Sequence, residues 1–272
     1  MKKYFLISIC IIGCIVRLFS QQQFILQSDK LTKADTIWVF TPADYDENIH
    51  QNYPAIYLLH GWSGTYHQWN DIIDCQEYAD DYGFIIICPD GLFDSWYIDS
   101  PVPGENQMES FFVTELLPFI SDNFRIQQQN VFITGLSMGG YGALYLFAMH
   151  SDSFKSAGSL SGLLQLDAWR HYYGIDRILG IEGNGKDNKL LSDYSVSGNI
   201  DKIKSAHKKI IVSCGTEDPF YTINQTFVTT CKRNNIDVFF TTSPGGHSGA
   251  YWASAIGEQF DFFRKLAGGV DK

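Results

Sequence analysis

The sequence is poor in positive charge. Its 272 residues include 20 lysines and arginines against 30 aspartates and glutamates, which gives a formal net charge of −10. A surface of this sign repels phosphate backbones, so we expect no nucleic-acid partner. The sequence also lacks low-complexity tracts and repeats of fixed period. Its composition is therefore that of an ordinary globular chain.

No apolar run in the sequence reaches the roughly 20 residues that a membrane-spanning helix needs. An apolar-rich run at residues 4–16 follows two lysines and precedes a small residue and three glutamines. This order is typical of a secretory signal peptide at residues 1–20, so we expect cleavage after Ser20 and a secreted or periplasmic protein. The alternative is a degenerate lipoprotein box, which would instead attach lipid to Cys14.

Cysteine is scarce, and its spacing excludes the common metal motifs. Outside the predicted signal peptide the cysteines are Cys75, Cys88, Cys214 and Cys231. They form no C-x-x-C or Cys/His pattern, so we expect no metal, and nothing else in the sequence implies a cofactor. Four thiols allow three pairings, among which the sequence does not choose, and buried free thiols are the alternative.

Short apolar runs, each closed by glycine or proline, recur along the chain. Such runs suit strands that are buried on both faces of a parallel sheet. We predict these strands at residues 55–59, 84–88, 131–134, 210–214 and 238–242. Two earlier segments, 24–31 and 35–40, are joined by a polar turn and predict an antiparallel hairpin.

Helical segments separate these runs, at residues 107–123, 138–150 and 258–266. The first places an apolar face toward the sheet, and Pro118 predicts a kink within it. The alternation of strands and helices predicts the α/β class, with a mostly parallel doubly wound sheet and an antiparallel N-terminal edge.

No linker rich in proline, serine or glycine divides the chain, so residues 21–272 are predicted to form one domain. Residues 163–200 are polar and contain several glycines. We interpret this segment as a lid-like insertion that roofs a pocket.

Residues 135–139 read GLSMG, the pattern G-x-S-x-G, and a further glycine follows at 140. A chain of this length contains the pattern by chance about one time in ten. The segments around the pattern must therefore indicate whether the serine is a nucleophile. Here Ser137 lies between a predicted strand and a predicted helix, the setting of a nucleophile held on a tight turn. Larger side chains at the three glycines would collide with neighbouring elements. The helix also directs its positive end at the serine.

A serine hydroxyl needs a base, and His247 is the best placed of the seven histidines. It follows the last predicted strand in the glycine-rich loop SPGGHSGAYW. The acid that orients it should follow the preceding strand, where CGTEDPF supplies Glu217 and Asp218. An oxyanion hole would use the backbone N–H groups of Met138 and of Trp62, in the turn LLHGWSG.

Together these motifs resemble the esterase D-like family of α/β-hydrolases, which includes bacterial feruloyl and acetyl-xylan esterases. The matching stretches span nearly the whole chain after residue 20: LLHGWSG, PDG, SWYIDS, ELLPFI, GLSMGGYGAL, CGTEDPF and GGHSGAYW. The resemblance implies an α/β-hydrolase fold with Ser137 as nucleophile, Asp218 as acid and His247 as base. It also implies Trp62 and Met138 as oxyanion donors. Relatives often carry an aromatic residue where this chain has Gly249, which leaves the wall of the pocket more open. This difference affects the prediction of the substrate and not that of the reaction.

The expected activity is that of a serine carboxylic-ester hydrolase working through an acyl-enzyme. Export and the resemblance favour feruloyl or acetyl esters of plant polysaccharide. Trp62, Trp96 and Tyr97 could form an aromatic wall for a flat acyl group or a sugar, or could simply pack in the core and rim. A general short-chain esterase and an acyltransferase remain alternatives. A non-catalytic binding module would be expected to lack a triad residue, and none is missing.

Overall fold

A computed structural model of the protein describes residues 21–183 and 188–268. The predicted signal peptide, with Ser20 and Cys14, lies outside the described residues.

A twisted sheet of eight strands forms the centre of the described part of the chain, in the order β1-β2-β4-β3-β5-β6-β7-β8. β1 pairs antiparallel with β2, and β2 antiparallel with β4, whereas the remaining neighbours are parallel. The predicted sheet with an antiparallel N-terminal edge is therefore confirmed. The strands are β1 (Gln21–Leu26), β2 (Asp35–Phe40), β3 (Tyr53–Leu59), β4 (Ile85–Pro89), β5 (Ile126–Gly135), β6 (Ser156–Leu160), β7 (Ile210–Ser213) and β8 (Val238–Thr241).

Helices cover both faces of this sheet and enclose two apolar clusters. One cluster includes α5, and the other includes residues of α1, α2 and α10. The helices are α1 (Gln68–Ile72), α2 (Cys75–Tyr82), α3 (Met108–Phe111), α4 (Leu117–Asn123), α5 (Met138–Met149), α6 (Ile175–Leu179), α7 (Asn188–Tyr194), α8 (Ile200–Ser205), α9 (Tyr221–Arg233) and α10 (Gly249–Leu266). Strands β3, β4, β6 and β7 are almost entirely buried, as expected for strands with helices on both faces.

The predicted helix at 107–123 is interrupted rather than only kinked. A π-helical turn, Phe112–Leu116, joins α3 to α4, and Pro118 lies in the first turn of α4. The helix has no free end here, since the Leu117 N–H donates to the Phe112 carbonyl, so Pro118 removes one backbone donor from a continuous helical segment. The predicted inward face is confirmed at Phe112, Leu116 and Ile120, which are fully buried, whereas Phe119, predicted on the same face, is half-buried.

The C-terminal helix is longer than the predicted segment 258–266. α10 begins at Gly249, and the Ser248 side chain accepts a hydrogen bond from the Tyr251 N–H. Serine at this position satisfies a donor in the first turn that the helix itself leaves free. As a result α10 begins two residues after His247.

The four cysteines of the described chain, Cys75, Cys88, Cys214 and Cys231, are buried free thiols. Of the pairings that the sequence left open, the described structure forms none. No helix among residues 21–183 and 188–268 is long and apolar enough to cross a membrane.

Candidate active site

Ser137 lies at the sharp turn between β5 and α5, at the carboxyl edge of the sheet. Its backbone has φ 54° and ψ −116°, a combination that costs energy for a residue with a side chain. The turn is held on both sides, because the Ser137 N–H donates to the Leu160 carbonyl and the Leu136 N–H donates to the Leu59 carbonyl. Strand β5 and its two neighbours therefore fix the position of the serine hydroxyl.

The glycines around Ser137 are required by close backbone contacts, as the sequence predicted. A Cβ at Gly135 would lie 2.5 Å from the carbonyl carbon of Gly139 and 2.6 Å from the Leu59 oxygen. A Cβ at Gly139 would overlap the Leu59 oxygen and lie 2.6 Å from the His60 oxygen. α5 can thus start directly against the ends of β3 and β5 only because these positions have no side chain.

His247 connects Ser137 to Asp218. Its Nε2 lies 2.9 Å from Ser137 Oγ, and its Nδ1 lies 2.9 Å from Asp218 Oδ2. A carboxylate oxygen accepts, so Nδ1–H donates to Asp218 and leaves the Nε2 lone pair free to accept the serine proton. This is the tautomer that a general base needs.

Asp218 is held in place by its own loop. Its side chain is fully buried, and Oδ1 accepts a hydrogen bond of 2.8 Å from the Phe220 N–H. The neighbouring Glu217 is exposed, and its backbone N–H donates to the Gly245 carbonyl. Of the two carboxylates that the sequence offered, the structure brings Asp218 to the imidazole.

The imidazole of His247 is packed between two aromatic rings. Phe220 and Trp252 both meet it edge to face, with centroid distances of 4.8 and 5.0 Å. Trp252 is in turn fixed by a hydrogen bond from its indole Nε1 to Ser161 Oγ. Gly249, where relatives often carry an aromatic residue, begins α10, and a Cβ there would only touch Ile72 at 3.6 Å. The site therefore tolerates a side chain that this protein does not supply.

The two backbone N–H groups that the sequence predicts as oxyanion donors, those of Met138 and Trp62, belong to segments that adjoin Ser137. Met138 is the first residue of α5, and Trp62 follows β3 in a loop that touches the serine. A Cβ at Gly61 would lie 3.4 Å from Ser137 Cβ. Within the described part of the chain, neither N–H has a hydrogen-bond partner among the protein groups. Free donors near the nucleophile are what a developing oxyanion requires.

Trp96 and Tyr97 pack in the core, the second of the two roles that the sequence left open for them. Both are buried, and both have positive φ. Trp96 donates its indole N–H to the Tyr173 carbonyl, and Tyr97 donates its hydroxyl to the His60 carbonyl. The two rings therefore support the loops of the site from below and have almost no exposed surface to offer a substrate.

A larger set of aromatic side chains, which shares only Trp62 with the predicted wall, borders the site, and we call it the aromatic rim. Trp62 contacts Phe93 and Tyr173 edge to face, with centroid distances of 5.0 and 5.6 Å. The rim then continues through other rings to Phe220, which touches His247. Its members are Trp62, Phe93, Trp169, Tyr172, Tyr173 and Phe220. Sequence reasoning missed most of them because three lie in the predicted insertion at 163–200, far along the chain from Trp62.

The rim is unusual because much of it is exposed. Phe93 is 53% exposed and Tyr172 is 58% exposed, while Trp62 and Tyr173 are each more than one third exposed. A contiguous apolar surface of this kind commonly marks a binding site. Among residues 21–183 and 188–268, no group of histidine, cysteine or acidic side chains could hold a metal ion.

The fold and the site together define an α/β-hydrolase with a complete Ser-His-Asp arrangement. Solved structures agree on the fold: a ferulic acid esterase aligns with a TM-score of 0.76 at 24% identity, over 92% of this chain and all of that one. An S-formylglutathione hydrolase from Agrobacterium tumefaciens aligns with a TM-score of 0.78 at 20% identity, over 92% and 96% of the two chains.

The chain belongs to the family described as "Putative esterase", whose model matches residues 28–263. Among curated proteins, the acetyl esterase of Caldicellulosiruptor saccharolyticus is 28% identical over 88% of this chain and 96% of its own length. The S-formylglutathione hydrolase of Rattus norvegicus is 24% identical over 75% and 79% of the two chains. The protein is therefore a carboxylic ester hydrolase, as the sequence predicted.

Proposed function

We propose that the protein is an exported serine esterase that removes feruloyl or acetyl groups from plant polysaccharide. The observation that supports the serine mechanism is the position of His247, with one ring nitrogen 2.9 Å from Ser137 Oγ and the other 2.9 Å from Asp218 Oδ2. Nucleophile, base and orienting acid are then already within hydrogen-bond reach before substrate binds.

In this mechanism His247 Nε2 takes the proton of Ser137 as Oγ attacks the ester carbonyl. The carbonyl oxygen becomes an oxyanion and accepts hydrogen bonds from the Met138 and Trp62 N–H groups. His247 then gives the proton to the leaving alcohol, and the acyl group remains on Ser137. Water repeats the sequence, with His247 again as base, and releases the acid.

The substrate class is supported by the aromatic rim and by two relatives. The flat faces of feruloyl groups and sugar rings suit exposed aromatic side chains such as Phe93 and Tyr172. The names of the relatives specify acetyl esterase and ferulic acid esterase activities. A protein with a net charge of −10 is also better suited to a neutral polysaccharide than to a polyanion.

A panel of p-nitrophenyl acetate, p-nitrophenyl butyrate and a feruloylated oligosaccharide tests this proposal. With an acetylated oligosaccharide added to this panel, we expect one of the two oligosaccharides to give the highest kcat/KM and p-nitrophenyl butyrate the lowest. Phe93→Ala and Tyr172→Ala should lower kcat/KM on the oligosaccharide by about 2- to 12-fold, the effect of losing one aromatic contact. Phe239→Ala is the matched control, because Phe239 is equally exposed but lies on β8 and stacks on Phe262.

The opposite outcome would be equal kcat/KM on all esters, unaffected by the rim variants, which would indicate a general short-chain esterase.

Transfer to another alcohol is the second alternative, because part of this chain is 34% identical to a diacylglycerol acyltransferase/mycolyltransferase of Mycobacterium gordonae, over 42% of this chain and 36% of that protein. Product analysis with an added alcohol acceptor separates hydrolysis from transfer.

Export is proposed from the short apolar run at residues 4–16 alone. We expect the mature protein to begin at Gln21 in its own host. N-terminal sequencing checks this: an intact Met1 would refute export, and lipid on Cys14 would identify a lipoprotein instead.

A further inference from the structure

The peptide between Gly61 and Trp62 carries two groups of interest at its opposite ends. One is the Trp62 N–H, which we propose as an oxyanion donor. The other is the Gly61 carbonyl, whose oxygen lies 2.7 Å from Nδ1 of His60. Because a peptide unit is planar, a contact that fixes the carbonyl also fixes the direction of the N–H.

We infer that His60 is a positioning residue of the esterase reaction: it holds the Gly61 carbonyl and thereby directs the Trp62 N–H at the oxyanion. The inference rests on the proposed function, since it needs Ser137 to form a tetrahedral intermediate. His60 does not touch the substrate in this account. It acts through the peptide plane, on the side away from the reacting atoms.

The donor in this contact is defined by chemistry. A carbonyl oxygen only accepts, so Nδ1 of His60 carries the proton and donates. Burial lowers the pKa of His60 to about 4, so the ring is neutral at neutral pH and carries one proton. Its other nitrogen, Nε2, lies 4.0 Å from Asp90 Oδ1 and has no hydrogen-bond partner within the described chain. The single N–H of the ring is thus committed to the Gly61 carbonyl.

Neighbouring side chains hydrogen-bond to the backbone of His60 and of the loop that follows β3. The His60 carbonyl accepts from the hydroxyl of Tyr97, and the Gly61 N–H donates to Gln68 Oε1 at 2.8 Å. Gly64 provides the space, because a Cβ there would lie 2.9 Å from Nδ1. The Gly61 carbonyl also accepts a hydrogen bond of 3.0 Å from the Gly64 N–H, so it has one backbone donor and one side-chain donor, His60. The backbone bond remains when His60 is replaced, so the substitutions below test what the side-chain donor adds to it.

Burying Nε2 of His60 without a hydrogen-bond partner costs free energy. An aliphatic side chain would fill the same space without that cost. The hydrogen bond to Gly61 is the contact that compensates for this cost. A peptide whose carbonyl accepts such a bond is also more polarised, which strengthens its N–H as a donor. Both effects improve the Trp62 N–H as an oxyanion donor.

Three substitutions separate the two ring nitrogens. His60→Asn places an amide N–H near the position of Nδ1 and preserves the donor to Gly61. His60→Gln places its amide near Nε2 and loses that donor, and His60→Leu removes both nitrogens. Loss of an entire oxyanion donor costs about 10²- to 10³-fold in kcat. A misdirected donor should cost less, so we expect about 10- to 100-fold for Gln and Leu, with KM within about twofold. Asn should stay within about fivefold of wild type.

The decisive readout is the preference for an ester over its thionoester, measured as kcat/KM on p-nitrophenyl acetate and its thiono analogue. Sulfur accepts hydrogen bonds weakly, so this preference reports on the oxyanion donors, whereas a general loss of folded enzyme lowers both rates equally. We expect the preference to fall in the Gln and Leu variants and to be retained in the Asn variant. An unchanged preference in all three, or full kcat in the Leu variant, would overturn the role of His60 alone. A wild-type protein without esterase activity would overturn this role together with the proposed function.

Discussion

Ser137→Ala is expected to lower kcat on p-nitrophenyl acetate by about 10⁶-fold, the scale reported for removing a triad serine. The variant loses the atom that forms the acyl-enzyme, while His247 and the free N–H groups remain in place. Any residual hydrolysis would come from those N–H groups and from substrate binding. Alanine keeps the Cβ and hence the strain of the turn at φ 54°, so the fold should change little.

A fluorophosphonate probe provides the second measurement for this variant. It should label the wild-type protein at Ser137 and leave the alanine variant unlabelled. Ser254→Ala is the matched control, because it removes an exposed serine hydroxyl on α10 that donates to the Tyr251 carbonyl of its own helix. Covalent labelling that persists in Ser137→Ala would show that another residue is the nucleophile.

The strands that the sequence predicted are those with runs of large apolar side chains, aliphatic or aromatic. β6 was missed because its residues, SAGSL, are small and give no apolar signal. The structure explains their size: a Cβ at Gly158 would overlap Oε1 of Gln259, from α10 on one side of the sheet. On the other side, a Cβ at Gly140 of α5 would lie 2.7 Å from Ser159 Oγ. Two helices pack so closely on this strand that larger side chains do not fit, and such packing is not visible in a local pattern.

The proximity of Ser137, Asp218 and His247 was predictable because it follows from chain order and strand ends. Ser137, Asp218 and His247 each follow a strand, and parallel strands bring those ends to one edge. The substrate-facing side chains were not predictable in the same way. Whether Trp96 or Tyr172 is exposed depends on how the segment 163–183 lies against the loop after β4, a contact between residues distant in sequence.

Asp218→Asn is expected to lower kcat by about 10³- to 10⁴-fold, the effect of giving the triad histidine the wrong tautomer. The structure supplies the reason. Asp218 Oδ1 accepts from the Phe220 N–H, and an asparagine would keep its oxygen there because an NH₂ group cannot accept this bond. Its NH₂ group would then face His247 Nδ1 and donate to it. The imidazole would carry its proton on Nε2 and could no longer accept the proton of Ser137.

Glu217→Gln is the matched control, since it makes the same chemical change at the adjacent position. Glu217 is exposed, and its backbone N–H donates to the Gly245 carbonyl, a hydrogen bond that glutamine retains. We expect kcat to fall by less than about tenfold, a loss below roughly 1.4 kcal/mol of transition-state stabilisation. Both variants should be measured on one ester across pH, because a histidine held in the wrong tautomer lowers kcat at every pH at which it is neutral. If the glutamine variant lost the activity and the asparagine variant kept it, Glu217 would be the acid, and the 2.9 Å contact between Asp218 and His247 would not serve catalysis.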